Sequence, residues 1–314
     1  MRPTMRRFLI DTDTASDDAI ALLMAFAAPD VSVEALTIVA GNCTAEQAAQ
    51  NALYTAELCG VTVPVHLGRT GPLIRPLTMA AEVHGHDGLG DIGLPLSGRA
   101  VAEGRAVDVI VETVLRHPGE VTLVALGPLT NIAVALLRAP EIARKVARCV
   151  VMGGVADGVG NVTPAAEFNI FVDPEAAAVV FSSGMNLTMV GWDVSRRRAA
   201  FDADELAALR AIDTPRARFA VDILGALRRF MVGISSRDHV DLPDPIAMAV
   251  ALDPSVATDV RRHAVIVDTS AGPSAGATLI DHFGSTGRPA TVDVVFDASR
   301  DRFLEMLRAS LAAG

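Results

Sequence analysis

Short runs rich in Val, Ile and Leu alternate with longer segments of helical period through the first two thirds of the chain. "RFLID" predicts a strand, and "SDDAIALLMAFAA" a helix with Ser16 as its N-cap. "VEALTIVAG" predicts the second strand, "TAEQAAQNALYTAELCG" a helix closed by Gly60, and "VPVHLG" a short strand. A long polar loop follows from Arg69 to Arg99. Helix "AVDVIVETVLRH", strand "VTLVAL", helix "LTNIAVALLRA" and strand "ARCVVMGG" come next, then helix "DPEAAAVVFSSG" and strand "LTMVGWDV". The pattern then turns mainly helical to about Leu252, and "HAVIVDT", "TVDVVFD" and a last helix, "RDRFLEMLRASLAA", close the chain. This order predicts an α/β fold with a doubly wound, Rossmann-like and mostly parallel central sheet flanked by helices. The expected organisation is one domain over residues 1–314, with a helical subregion at about 200–252.

Polar residues interrupt the apolar pattern where the strands end. Asp11 and Asp13 follow the first strand, and "GNCT" with Asn42 follows the second. "GPLTN" follows "VTLVAL", "MGGVADGVGN" follows "RCVV", and Trp192-Asp193 follows "LTMVG". Ligands of open α/β sheets bind beyond the carboxyl ends of the strands, so these five ends predict one crevice. The stretch "DTDTASDD" sets Asp11, Asp13, Asp17 and Asp18 within eight positions. Asp17 and Asp18 suit the first turn of a helix, where the dipole favours negative charge. Asp11 and Asp13 immediately upstream are not explained that way. A hard divalent cation, Ca²⁺ or Mg²⁺, reconciles four carboxylates at one turn, with Asp244 of "DLPDPIAMA" supplying a ligand from another loop.

Composition narrows the partners. Hydrophobic residues make up 51% of 314, enough for a large core, and aromatics only 4%, which suits helices on a parallel sheet. A net charge of −10 argues against nucleic acid or an anionic membrane as a partner. Three widely spaced cysteines, Cys43, Cys59 and Cys149, form neither a disulfide framework nor a zinc site. The basic N-terminus has an apolar run that stops after three residues at Asp11, so no signal peptide is expected, and the expected location is cytoplasmic.

"DTDT" after an apolar strand also fits haloacid-dehalogenase-type phosphotransferases, with Asp11 as nucleophile and Asp13 as acid/base. That chemistry needs a downstream cation and a late acidic pair. Lys145, the only lysine, lies in a helix-to-strand segment, and no such pair follows a late strand.

The motifs "DTDTASDDAIALL", "TIVAGNCT", "HGHDGLG", "LGPLTNIA", "VVMGG", "AEFNIFVDPEAA" and "DPIAMA" run in the order of the calcium-dependent nucleoside hydrolases, which the chain resembles from Phe8 to about Leu311. The resemblance implies hydrolysis of the N-glycosidic bond of ribonucleosides to free base and ribose. It implies that Asp13, Asp18, the Leu126 carbonyl and Asp244 hold Ca²⁺, with Asp13 also the general base for a calcium-activated water. It further implies that Asp17, Asn42 and Asn169 hold the ribose 2′- and 3′-hydroxyls. Asn161 and Glu167 then hold the 5′-hydroxyl, Met152 packs on the sugar, and the chain forms a homodimer or homotetramer. Asp11 is left to support the turn.

The chain departs from that pattern where the leaving base is protonated. Many relatives carry a histidine just before the aspartate matched by Asp244; here Pro243 can neither donate nor accept a proton. His84 is the expected substitute, while His86 and His239 read as solvent-facing loop residues. The departure leaves open a binding protein that keeps the metal site but has little turnover. The run Arg196–Arg198 reads as a solvated loop, and Trp192 as either a core or a pocket residue.

Overall fold

Strands buried on both faces must be apolar on both, and the run Phe8–Ile10 has no exposed surface at all. In the computed structural model, which describes residues 5–235 and 238–313, this run is the centre of β1 (Arg6–Thr12). The further strands are β2 (Val31–Ile38), β3 (Val65–Leu67), β4 (Val121–Ala125), β5 (Arg148–Met152), β6 (Leu187–Val190), β7 (Ala200–Asp202), β8 (His239–Asp241), β9 (Ala257–Val267), β10 (Thr278–Asp281) and β11 (Val292–Ala298).

Nine of these form one sheet in the order β10-β9-β11-β6-β5-β4-β1-β2-β3. Every neighbouring pair from β3 across to β11 is parallel, and β9 pairs antiparallel with both β11 and β10. The chain runs outward through β2 and β3, then returns to the other side of β1 at β4. That reversal opens a crevice between the carboxyl ends of β1 and β4, the place where doubly wound sheets bind ligands.

Alternation sends successive side chains of each strand to opposite faces. Phe8 and Ile10 join one core with helices Ser16–Ala27, Ala45–Leu58, Pro243–Leu252 and Arg300–Ala312. Leu9 joins the other, under helices Ala106–Arg116, Thr130–Arg138 and Pro174–Phe181. The continuous apolar runs of the strands and the helical period between them make these elements readable from sequence.

Several short elements differ from expectation. The hairpin of β7 with β8 lies inside the region read as helical, and β10 was not foreseen. Strands of three or four residues are too short to display a period. Ser16 is the first residue of its helix and not the cap; the cap position is Ala15, whose N–H donates to Asp18 Oδ2 at 2.9 Å. Arg196–Arg198 end the helix Trp192–Arg198 and do not form a loop. Arg197 binds Asp193 one turn earlier, and Arg198 clamps Asp297 with two nitrogens at 2.6 and 2.7 Å. The loop from Arg69 to Arg99 contains a one-turn helix, Ala81–His84.

Candidate active site

Asp13 leaves the end of β1 fully buried, with the loops after β2 and β4 closed upon it. Its Oδ2 accepts the Asn42 N–H at 2.6 Å, while Oδ1 has no partner. Glycines permit this approach: a Cβ on Gly41 would stand 2.1 Å from Asp13 Oδ2, and one on Gly127 2.6 Å from Oδ1. The adjoining Leu126 is held by its N–H to the Asp11 carbonyl at 2.8 Å. Asp11 lies beneath the site, its Oδ1 accepting from Thr37 Oγ1 at 2.6 Å and from Asn131 Nδ2 at 2.9 Å. Burial pushes its carboxyl up to about 7.

The start of helix Ser16–Ala27 brings up more negative charge. Asp17, Asp18 and Asp244 have carboxylate oxygens within 4.8 Å of one another, all buried. Asp18 is oriented by the Thr12 hydroxyl at 2.5 Å and the Ala15 N–H, whereas Asp17 Oδ1 has no hydrogen-bond partner. Burial raises all four, Asp17 and Asp18 to about 6 and Asp13 and Asp244 well above the usual carboxylate range, and repulsion from neighbouring carboxylates adds to the shift of Asp13, Asp18 and Asp244. Among the described residues no Lys or Arg side chain lines the cavity. Buried, oxygen-only and short of partners, this donor set fits a hard divalent cation. Asp17, expected on the sugar, is part of the tightest acid group; Asp13 adjoins it through its interaction with Asp18.

The cavity above this floor is about 170 Å³ and receives all five strand ends, through Asp17, Asn42, Leu126, Met152 and Trp192. Asn169 lies between the ends of β4 and β5, its Nδ2 donating to the Leu126 carbonyl at 2.7 Å and the Met152 carbonyl at 3.2 Å. Glu167 caps the short helix Phe168–Val172, accepting the N–H groups of Asn169, Ile170 and Gly154, and burial raises its pKa to about 7. Asn161 reaches the cavity from the loop after β5, with Oδ1 accepting the Phe168 N–H at 2.9 Å.

Of the histidines, only His84 lines the cavity. Its Nδ1 meets Ser16 Oγ at 2.7 Å and stands 3.9 Å from Asp17 Oδ1. Burial lowers it to about 4, so the ring is neutral at neutral pH. His86 is exposed and bonded to Asp91, and His239 lies on β8 outside the cavity. The apolar wall from helix Gly225–Ser235, with Leu227, Phe230 and Met231, was not assigned from sequence, nor was Asp241.

Residues 8–305 match the inosine-uridine preferring nucleoside hydrolase family. The chain belongs to this family. It is similar to the pyrimidine-specific ribonucleoside hydrolase RihA of Citrobacter koseri, at 38% identity over 97% of both chains. The RihA of a Shewanella species is 40% identical over 98% of this chain and 96% of that one. Among solved structures, a plant nucleoside hydrolase, the PpNRh1 enzyme, superposes with a TM-score of 0.93 at 34% identity, covering 98% of this chain and 99% of that one. A purine-preferring ribonucleoside hydrolase from Gardnerella vaginalis superposes with a TM-score of 0.90 at 31% identity, covering 98% of each. This nucleoside hydrolase therefore cleaves the N-glycosidic bond of ribonucleosides, and the phosphotransferase alternative is set aside. Its family's chemistry is metal-dependent, in keeping with the buried acids. No described helix is long and apolar enough to cross a membrane.

Proposed function

We propose that this hydrolase acts foremost on pyrimidine ribonucleosides and uses Ca²⁺ held by Asp13, Asp18, the Leu126 carbonyl and Asp244. The observation that carries the reading is the cluster of buried carboxylates with unpartnered oxygens at the β1/β4 crevice, with no Lys or Arg side chain among the described residues lining it. Pyrimidine preference rests on the RihA relatives. When bound, the cation supplies a lowered water pKa and a fixed orientation of the ribose diol.

The side chains divide the remaining work. Asp13, fixed through Oδ2 by Asn42, has Oδ1 free to accept a proton from the attacking water. Asp17, Asn42 and Asn169 hold the 2′- and 3′-hydroxyls, Asn161 and Glu167 the 5′-hydroxyl, and Met152 the sugar face. As the bond to the base breaks, positive charge grows at the anomeric carbon, and the acidic floor favours it. His84, neutral and steadied by Ser16, directs a hydrogen bond at the departing base, a task Pro243 cannot perform. Assembly is as a homodimer or homotetramer; sedimentation velocity tests it.

Release of reducing sugar from uridine, cytidine, inosine and adenosine tests the function. Faster turnover of uridine and cytidine supports the reading, and faster inosine or adenosine overturns the pyrimidine preference. Binding without turnover across the panel would instead favour a nucleoside- or ribose-binding protein.

A further inference from the structure

We infer that Asp241 is a base-specificity residue, its carboxyl group bonding the amide edge of a pyrimidine base such as the N3–H and O4 of uracil. The inference rests on the cavity being a ribonucleoside site, as proposed above.

Asp241 is the last residue of β8 and lines the cavity, yet it is only 6% exposed and its Oδ1 has no hydrogen-bond partner. Alternation at the strand end turns Asp241 and Pro243 to the cavity and buries Leu242 completely between them. The backbone here is fixed: β8 pairs with β7, and the Leu242 N–H binds the Ala199 carbonyl at 3.0 Å.

Its surroundings differ from those of the acid floor. The helix Gly225–Ser235, which supplies the apolar wall of Leu227, Phe230 and Met231, packs against β8. Among the described residues, the titratable and charged groups facing Asp241 are His239, whose Nε2 is 4.0 Å from Oδ1, and Arg196. Neither is a hydrogen-bond partner, and Arg196 is engaged over the Trp192 ring at 4.9 Å. Trp192 itself lines the cavity. A carboxyl oxygen buried among apolar walls and left without a donor costs stability. Such a group persists where a ligand completes it. The sugar falls to Asn42, Asn161, Glu167 and Asn169, so the base is the part of the substrate left for Asp241. An amide edge, N–H beside C=O, satisfies a carboxylate through its N–H and a carboxylic acid through both groups.

The test compares uridine, 3-methyluridine and 4-nitrophenyl ribofuranoside on the metal-loaded parent, Asp241→Asn and Asp241→Ala. 3-Methyluridine lacks the N3–H, and the nitrophenyl riboside keeps the sugar but has no amide edge. Asp241→Ala should lower kcat/KM on uridine roughly tenfold or more relative to the nitrophenyl riboside, with Asp241→Asn falling between Ala and parent. The parent should discriminate against 3-methyluridine; Asp241→Asn, whose amide oxygen still accepts the N3–H, should keep part of that discrimination and Asp241→Ala should lose it. Because an unpartnered buried carboxyl is being removed, both should melt at or above the parent temperature. Equal losses on uridine and the riboside, or a parent indifferent to N3 methylation, would overturn the inference. Failure of the parent to release ribose from any substrate would instead count against the ribonucleoside reading itself.

Discussion

Gly41 and Gly127 show how tightly one carboxylate is enclosed. Both lie closer to Asp13 than any Cβ could, so the loops after β2 and β4 reach it only because these positions lack side chains. Gly41→Ala should therefore displace Asp13 and lower kcat at least tenfold, measured by ribose release. Asp13→Asn keeps the Asn42 contact and the shape while removing the proton acceptor; turnover should fall by orders of magnitude with an unchanged far-UV circular dichroism spectrum. Near-parent turnover in that variant would remove Asp13 from the role of base. Residues such as Asp13, Asn42 and Asp244 were legible because they abut long apolar elements whose ends can be read. Ser16 was misread as a cap because its true partner, His84, is 68 residues away, and local sequence carries no trace of that bond. Asp241 was missed because β8 is too short to reveal which of its side chains face inward.

Elements of differing legibility build the two halves of the cavity. The acid floor stands on β1, β2, β4 and β5, whose apolar runs and following helices announce themselves by period. The roof comes from helix Gly225–Ser235 and the β7/β8 hairpin, where tertiary packing sets the arrangement and local pattern gives little guidance. The roof supplies apolar contact that is equal for substrate and transition state, so its loss belongs in KM. Phe230→Ala should raise KM for uridine several-fold with kcat nearly unchanged. A fall in kcat at constant KM would show that the roof positions the reacting groups instead. The helix Ser16–Ala27 has the opposite character: it is buried through most of its length and delivers Asp17 and Asp18 from its first turn. Its dipole favours their charge but does not offset their mutual proximity.

Across the whole molecule, the cost of those acids appears as a dependence of stability on pH and metal. Burial raises Asp17 and Asp18 from 3.8 to about 6, and Asp11 and Glu167 to about 7. The native chain thus holds protons that the unfolded chain has released, so metal-free stability should fall as pH rises from about 4 to about 7. Calcium requires the deprotonated carboxylates, so its affinity should climb over the same interval. Thermal melts of the chelated protein should show a lower midpoint at pH 7.5 than at pH 5.5, with added calcium raising the pH 7.5 midpoint more. At a hundredfold excess over Kd the gain is about 2.7 kcal/mol. The sheet order and the strand-end site follow from alternation and topology, but the strength of this linkage depends on burial, which appears only once the chain is folded. The most direct test of a calcium-dependent hydrolase is ribose release from uridine by protein stripped with a chelator and then titrated with calcium. Calcium dependence predicts negligible release after stripping and recovery that tracks calcium binding measured by calorimetry. Full turnover by the stripped protein, or recovery without calcium binding, would contradict it.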